Sequence, residues 1–149
     1  LSLHNIEDLA EQSSLPLGLT IRGSQKLMTT EHCVLMSQGP CNQACATCLR
    51  RRSPHYLNDR RGYEFSVITD LCGRSHIYNA VPLDVTHAVP EIIRAGVSAL
   101  MVDATLMTSA ETTQAVQRAV RARDIALAGD NAVAKTEDAT TGHLFKRLK

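Results

Sequence analysis

THAVPEIIRAGVSALMVDATLMTSAETTQAVQRAV, residues 86–120, holds a helix, a strand and a second helix in one run. From Thr86 the apolar residues Val89, Ile92 and Ile93 recur at helical spacing as far as Gly96, which can take the left-handed conformation that ends helices. Ala99-Leu100-Met101-Val102 follows as a continuous apolar run, expected as a buried strand ending at Asp103. Ser109 is expected to cap a further helix carrying Ala115, Val116, Ala119 and Val120 on one face. Helix, buried strand, loop and helix is the rhythm of a parallel α/β architecture.

The same rhythm opens the chain. Leu3, Ile6, Leu9 and Ala10 share a helical face, and Ser13-Ser14 with Pro16 close it, because proline cannot continue a helix interior. Leu17, Leu19 and Ile21 alternate with Gly18, Thr20 and Arg22 as a short strand. Between the two units lies a stretch of another kind. Residues 37–55 hold Gly39, Pro40, cysteines, Arg50-Arg51-Arg52 and Pro54 with neither period, a loop long enough to expect a function or a bound ligand. Tyr56–Asp59 and Tyr63–Ile68 around Arg60-Arg61-Gly62 predict a β-hairpin, and Ser75–Asn79 a further extended piece. After Gly129 the tail is polar until Thr141–Phe145. Two or three parallel strands do not close a barrel, which needs about eight. The expected fold is α/β, either a small open sheet or the last part of a barrel. Residues 1–149 would form one partial domain, with a cysteine loop and hairpin inserted over 33–80.

Composition narrows the function classes. The 149 residues are the length of one domain, and 44% hydrophobic with 21% charged residues is ordinary globular usage, which excludes disordered and fibrous classes. A net charge of +1 gives no global field toward nucleic acid or membrane. Apolar runs are far shorter than the roughly 20 residues that span a bilayer. No basic and then apolar leader opens the chain, so a cytoplasmic protein is expected. The start at Leu1, in mid-pattern, suggests a piece of something longer.

Five cysteines are spaced Cys33-x7-Cys41-x3-Cys45-x2-Cys48-x23-Cys72, four of them within sixteen residues. An odd, clustered count in a reducing compartment argues against a disulfide framework. A closed soft-metal site takes about four thiolates, and an x2 or x3 separation lets one loop supply two. Zinc would make a structural staple, whereas an iron–sulfur cluster uses the same ligands at more variable spacing. Thiols without a metal are the plain alternative. A cysteine nucleophile would need a histidine base and an orienting group, and no hydrolase signature is present.

Thr29-Thr30-Glu31-His32-Cys33, the Gly39-x-Cys41 that follows and Asp59-Arg60-Arg61-Gly62-Tyr63-Glu64-Phe65 resemble peptidase family U32, the collagenase-like peptidases. So do Cys72-x3-His76-Ile77-Tyr78-Asn79, Pro82-Leu83-Asp84 and Thr141-Gly142-His143-Leu144-Phe145, in order across residues 27–145. The resemblance implies the C-terminal part of a TIM-barrel-like (β/α) domain whose N-terminal half is missing here. It implies either peptidase activity, as the family name says, or an iron–sulfur protein supporting hydroxylation of a base in transfer or ribosomal RNA, or of a similar ring. Prephenate is implicated in the RNA-modifying relatives. By that likeness four of Cys33, Cys41, Cys45, Cys48 and Cys72 would hold a [4Fe–4S] cluster, with Cys45 or Cys48 spare. Zinc is the alternative metal, and a zinc-stapled binding module the non-catalytic alternative function.

The remaining residues divide between site and scaffold. Arg50, Arg51, Arg52, Arg60 and Arg61 against Asp59 give residues 50–61 a local charge of about +4, either a solvated basic loop or contacts to RNA phosphates. A peptide or small-molecule cosubstrate is the other expected partner, and no membrane. Glu31, His76, Asp103 and His143 are the weak catalytic candidates. For Asp103 capping the next turn is the plain alternative, and for His76 a satisfied structural role. Met28, Met36, Met101 and Met107 read as core filler.

Overall fold

The computed structural model describes residues 2–129 and 133–145; part of the polar tail read after Gly129 lies outside them. The fold is mixed α/β. It divides into two compact units, one formed by the chain up to Ser24 and again from Val81, the other by Gln25–Ala80.

In the first unit, α1 (Leu3–Gln12) starts at Ser2, whose hydroxyl accepts the Asn5 N–H while the Asn5 side chain takes the Ser2 N–H. β1 (Leu17–Gly23) follows. In the second unit come β2 (Lys26–Thr30), β3 (His55–Asn58), β4 (Glu64–Thr69) and β5 (Ser75–Tyr78). Back in the first are β6 (Leu83–Asp84), α2 (Val89–Arg94), β7 (Val97–Asp103) and α3 (Ser109–Ala128). The first sheet runs β6-β1-β7, with β1 parallel to β7 and antiparallel to β6. One parallel pair is a small open sheet, and no barrel closes among the described residues.

Ile6 from α1, Ile21 from β1, Val89 and Ile92 from α2, and Val97 from β7 meet in one core with Leu83, Val85 and Leu144. Burying each such aliphatic side chain is worth about 1.5–3 kcal/mol. α3 turns Ala115, Ala119 and Ala122 inward. Four of the expectations fail here. β7 is half-exposed rather than buried, since it pairs with β1 on one side only among the described residues, and Met101 remains 49% accessible. The cap of α3 is Thr108, not Ser109: Thr108 and Glu111 exchange side-chain and backbone hydrogen bonds, the reciprocal pairing that Ser109 lacks. Val116 and Val120 are exposed, because the alanine row beside them takes the inner face. Met28 and Met36 also lie outside the core.

The second unit is an antiparallel sheet in the order β2-β5-β4-β3. β2, which periodicity did not show, enters it by pairing Thr29 with His76 and Thr30 with Ser75. The expected hairpin is β3–β4, closed by Asp59, whose carboxylate accepts the Arg61 and Tyr63 N–H groups, and by Gly62 at φ +83°. The irregular stretch carries three short 3₁₀ turns, Val34–Gln38, Cys45–Thr47 and Leu49–Arg52.

Candidate thiol site

All five cysteines belong to the second unit, and all are free. Cys41 and Cys72 are exposed; Cys33, Cys45 and Cys48 are half-buried. The β4–β5 turn is where three of the thiol-bearing segments are fastened. Asp70 folds that turn: its Oδ1 accepts the N–H groups of Cys72 (2.9 Å) and Arg74 (3.0 Å), and its Oδ2 accepts Arg74 Nε (2.8 Å). Burial alone would raise the Asp70 pKa. The N–H groups of Arg74 and Cys72, the Arg74 guanidinium and His76 outweigh it and hold the carboxyl at about 2. Arg74 in turn is raised above its ordinary value, first by its hydrogen bond to Asp70 and last by the charge of Glu31.

Gly73, next to Cys72, is buried at φ +83°, and Cys45 Sγ lies 3.1 Å from where a Cβ on it would stand. The Cys33 segment reaches the same turn from the other direction, because the Val34 N–H donates to the fully buried Ser75 Oγ at 2.9 Å. Cys33 itself opens the first 3₁₀ turn, its carbonyl accepting the Met36 N–H. Cys41 and Cys48 line a separate hollow of about 560 Å³ with Pro40, Thr47 and Arg50. Among the described residues no three His, Cys, Asp or Glu side chains stand close enough to hold a metal ion together. The donor set suits a soft metal, with five free thiols and none consumed in a disulfide. The thiols are grouped around one turn and one hollow rather than closed on a single point.

The arginine run divides in the same way. Arg50 Nη1 donates to the carbonyl of Gly39 (3.1 Å) and to that of Leu35 (3.5 Å). Arg51 Nε donates to the Thr69 carbonyl (2.8 Å) and its Nη1 to the Cys45 carbonyl (3.0 Å). Arg52, Arg60 and Arg61 are exposed, as are Tyr56 and Tyr63 on the hairpin.

The catalytic candidates are scattered. His76 has both ring nitrogens engaged, Nδ1 with Thr29 Oγ1 at 3.0 Å and Nε2 with Asp70 Oδ2 at 3.3 Å. Glu31 is exposed on the same unit. Asp103 and His143 belong to the first unit. Asp103 accepts the Thr105 N–H and hydroxyl, capping the turn after β7. His143 is exposed. Sequence reasoning missed Asp70 and Ser75. Asp70-Leu71-Cys72-Gly73 carries the aspartate and glycine of a tight turn, a signal that was available; nothing local marks Ser75.

The sequence model of peptidase family U32 matches residues 1–147. No match was found among the curated proteins or the solved structures. Among the described residues no helix is long and apolar enough to cross a membrane.

Proposed function

This chain belongs to peptidase family U32, and we propose that its thiol-bearing unit binds a [4Fe–4S] cluster in support of hydroxylation of an RNA base. The observation that carries the reading is the fastening of Cys33, Cys45 and Cys72 to one β4–β5 turn, with Cys41 and Cys48 on the loop that Arg50 and Arg51 anchor. Cys33, Cys41, Cys72 and one of Cys45 and Cys48 would be the ligands. When bound, such a cluster supplies one-electron chemistry tuned by its burial and hydrogen bonds. Metal binding to thiolates is coupled to folding, so closure of separately held thiols around a cluster is the expected course.

The RNA part of the reading is supported by the exposed Arg52, Arg60 and Arg61 near Tyr56 and Tyr63, charges and rings suited to phosphate and unstacked bases. Within the complete protein the chain would be the C-terminal part of a TIM-barrel-like domain, a cytoplasmic assignment being expected for exposed free thiols. Peptide cleavage is the weaker reading: the hydroxyl–imidazole–carboxylate row Thr29–His76–Asp70 is a cross-strand pair with a turn aspartate that also folds the Cys72 turn. Anaerobic purification of the full-length protein, followed by iron and sulfide analysis and by mass spectrometry of RNA from cells lacking it, tests both halves. Iron and sulfide in the protein with loss of a hydroxylated base would support the proposal. Zinc alone would turn it toward a structural staple.

A further inference from the structure

We infer that Arg50 and Arg51 are positioning residues of the thiol site, and are not available as nucleic-acid contacts. The inference deepens the cluster reading above and rests on it for its functional meaning. Arg51 spans two segments. One edge of its guanidinium holds the Thr69 carbonyl at the start of the turn that bears Cys72, and the other holds the carbonyl of Cys45 itself. A planar fork with fixed donors suits this task as an ammonium would not. Arg50 does the same for the other pair. Its guanidinium ties the carbonyls of Leu35 and Gly39, which bracket the way from Cys33 to Cys41, and lines the hollow that Cys41 shares with Cys48.

The chain is built around both braces. Gly39 sits at φ +129°, a conformation that favours glycine, and a Cβ there would stand 3.1 Å from the Arg50 guanidinium, which would have to shift by a few tenths of an ångström. The Arg50 carbonyl meets His55 Nε2 at 2.5 Å, while His55 Nδ1 meets Gln38 Nε2 at 3.2 Å, closing the loop from behind. Of the two adjacent arginines, Arg51 thus ties the Cys45 stretch to the end of β4, and Arg50 ties its own turn to the stretch between Cys33 and Cys41. Read as charge, they are a basic patch; read as hydrogen bonds, they are the frame that spares a cluster the cost of ordering its own loop.

The test uses the full chain, reduced and metal-free, pulsed with iodoacetamide, each cysteine being followed by peptide mass spectrometry. Arg51→Ala is expected to speed alkylation of Cys45 about tenfold while Cys41 keeps its rate, and Arg52→Ala to change none of the five, since loss of a local brace opens only the segment it held. Cys45 reacting at the wild-type rate in Arg51→Ala would overturn the inference. If Arg51→Ala unfolds and all five thiols react alike, Arg51→Lys decides: selective acceleration of Cys45 supports the brace and an unchanged rate refutes it. A Co²⁺ titration on the same proteins supplies the functional readout, with affinity about tenfold weaker in Arg51→Ala and partly restored by methylguanidinium. A wild-type chain that gives no thiolate-to-cobalt band would exclude a single-ion thiolate site, the cluster itself being decided by iron and sulfide content, and the alkylation rates would then decide the inference.

Discussion

Gly62 and Gly73 make a matched pair for weighing the contact between Cys45 and the β4–β5 turn. Both sit at φ +83° in the second unit, yet a Cβ on Gly62 would meet nothing within 4 Å, whereas one on Gly73 would stand 3.1 Å from Cys45 Sγ. Alanine in the left-handed region costs roughly 1–2 kcal/mol at either position. At Gly73 the thiol must also give way by a few tenths of an ångström, and an off-rotamer side chain adds about 0.5–1.5 kcal/mol. Gly62→Ala should therefore lose about 1–2 kcal/mol, and Gly73→Ala about 1.5–3.5 kcal/mol with faster alkylation of Cys45. The chain contains no tryptophan, and its three tyrosines, Tyr56, Tyr63 and Tyr78, all lie in this unit. Tyrosine fluorescence during urea unfolding thus reports on the second unit alone. Equal losses in the two variants, with Cys45 reactivity unchanged, would show that Cys45 does not rest on Gly73.

Other outcomes follow from single groups. The depressed pKa of Asp70 makes its carboxylate stabilising above its ordinary value of 3.8, a contribution lost as pH falls toward about 2. The melting temperature of wild type should therefore drop more steeply than that of Asp70→Asn between those limits, and parallel curves would contradict the turn's geometry. In the first unit Asp84 is 2% exposed and bound by Arg22, by the Thr86 N–H and hydroxyl, and by Thr136. Asp84→Ala strands the Arg22 charge and should cost about 3–5 kcal/mol in thermal unfolding; a loss under 1 kcal/mol would refute the network. For RNA, replacing Arg52, Arg60 and Arg61 together by Ala should flatten the salt dependence of binding by about two to three in log–log slope, while an unchanged slope would place the RNA elsewhere.

What the sequence disclosed depended on how local the cause was. The β3–β4 hairpin was legible because Asp59 and Gly62 carry the turn chemistry themselves, and α2 because Val89, Ile92 and Gly96 mark its face and its end. β2 was not, since Lys26-Leu27-Met28-Thr29-Thr30 has no alternation to read and is fixed only by pairing with β5. The apolar run of β7 suggested burial on both faces, but burial is set by neighbours, and β1 alone pairs with it among the described residues. The Thr108-x-x-Glu111 box was readable and distinguishes Thr108 from its neighbour Ser109. The five thiols announced a site by clustering, yet where the Cys33, Cys45 and Cys72 segments are held is decided by Ser75, Arg51 and Asp70. Arg50 and Arg51 are the clearest case. Charge counting placed them with Arg52, and only their carbonyl partners separate them from it.

The most direct measurement is the iron and sulfide content of the full-length protein prepared without oxygen, beside the same preparation of Cys33→Ser and Cys72→Ser. About four irons and four sulfides per chain in wild type, and loss of both in each variant, are expected if these thiols hold the cluster. Wild-type protein without iron, or iron retained unchanged in both variants, would contradict it.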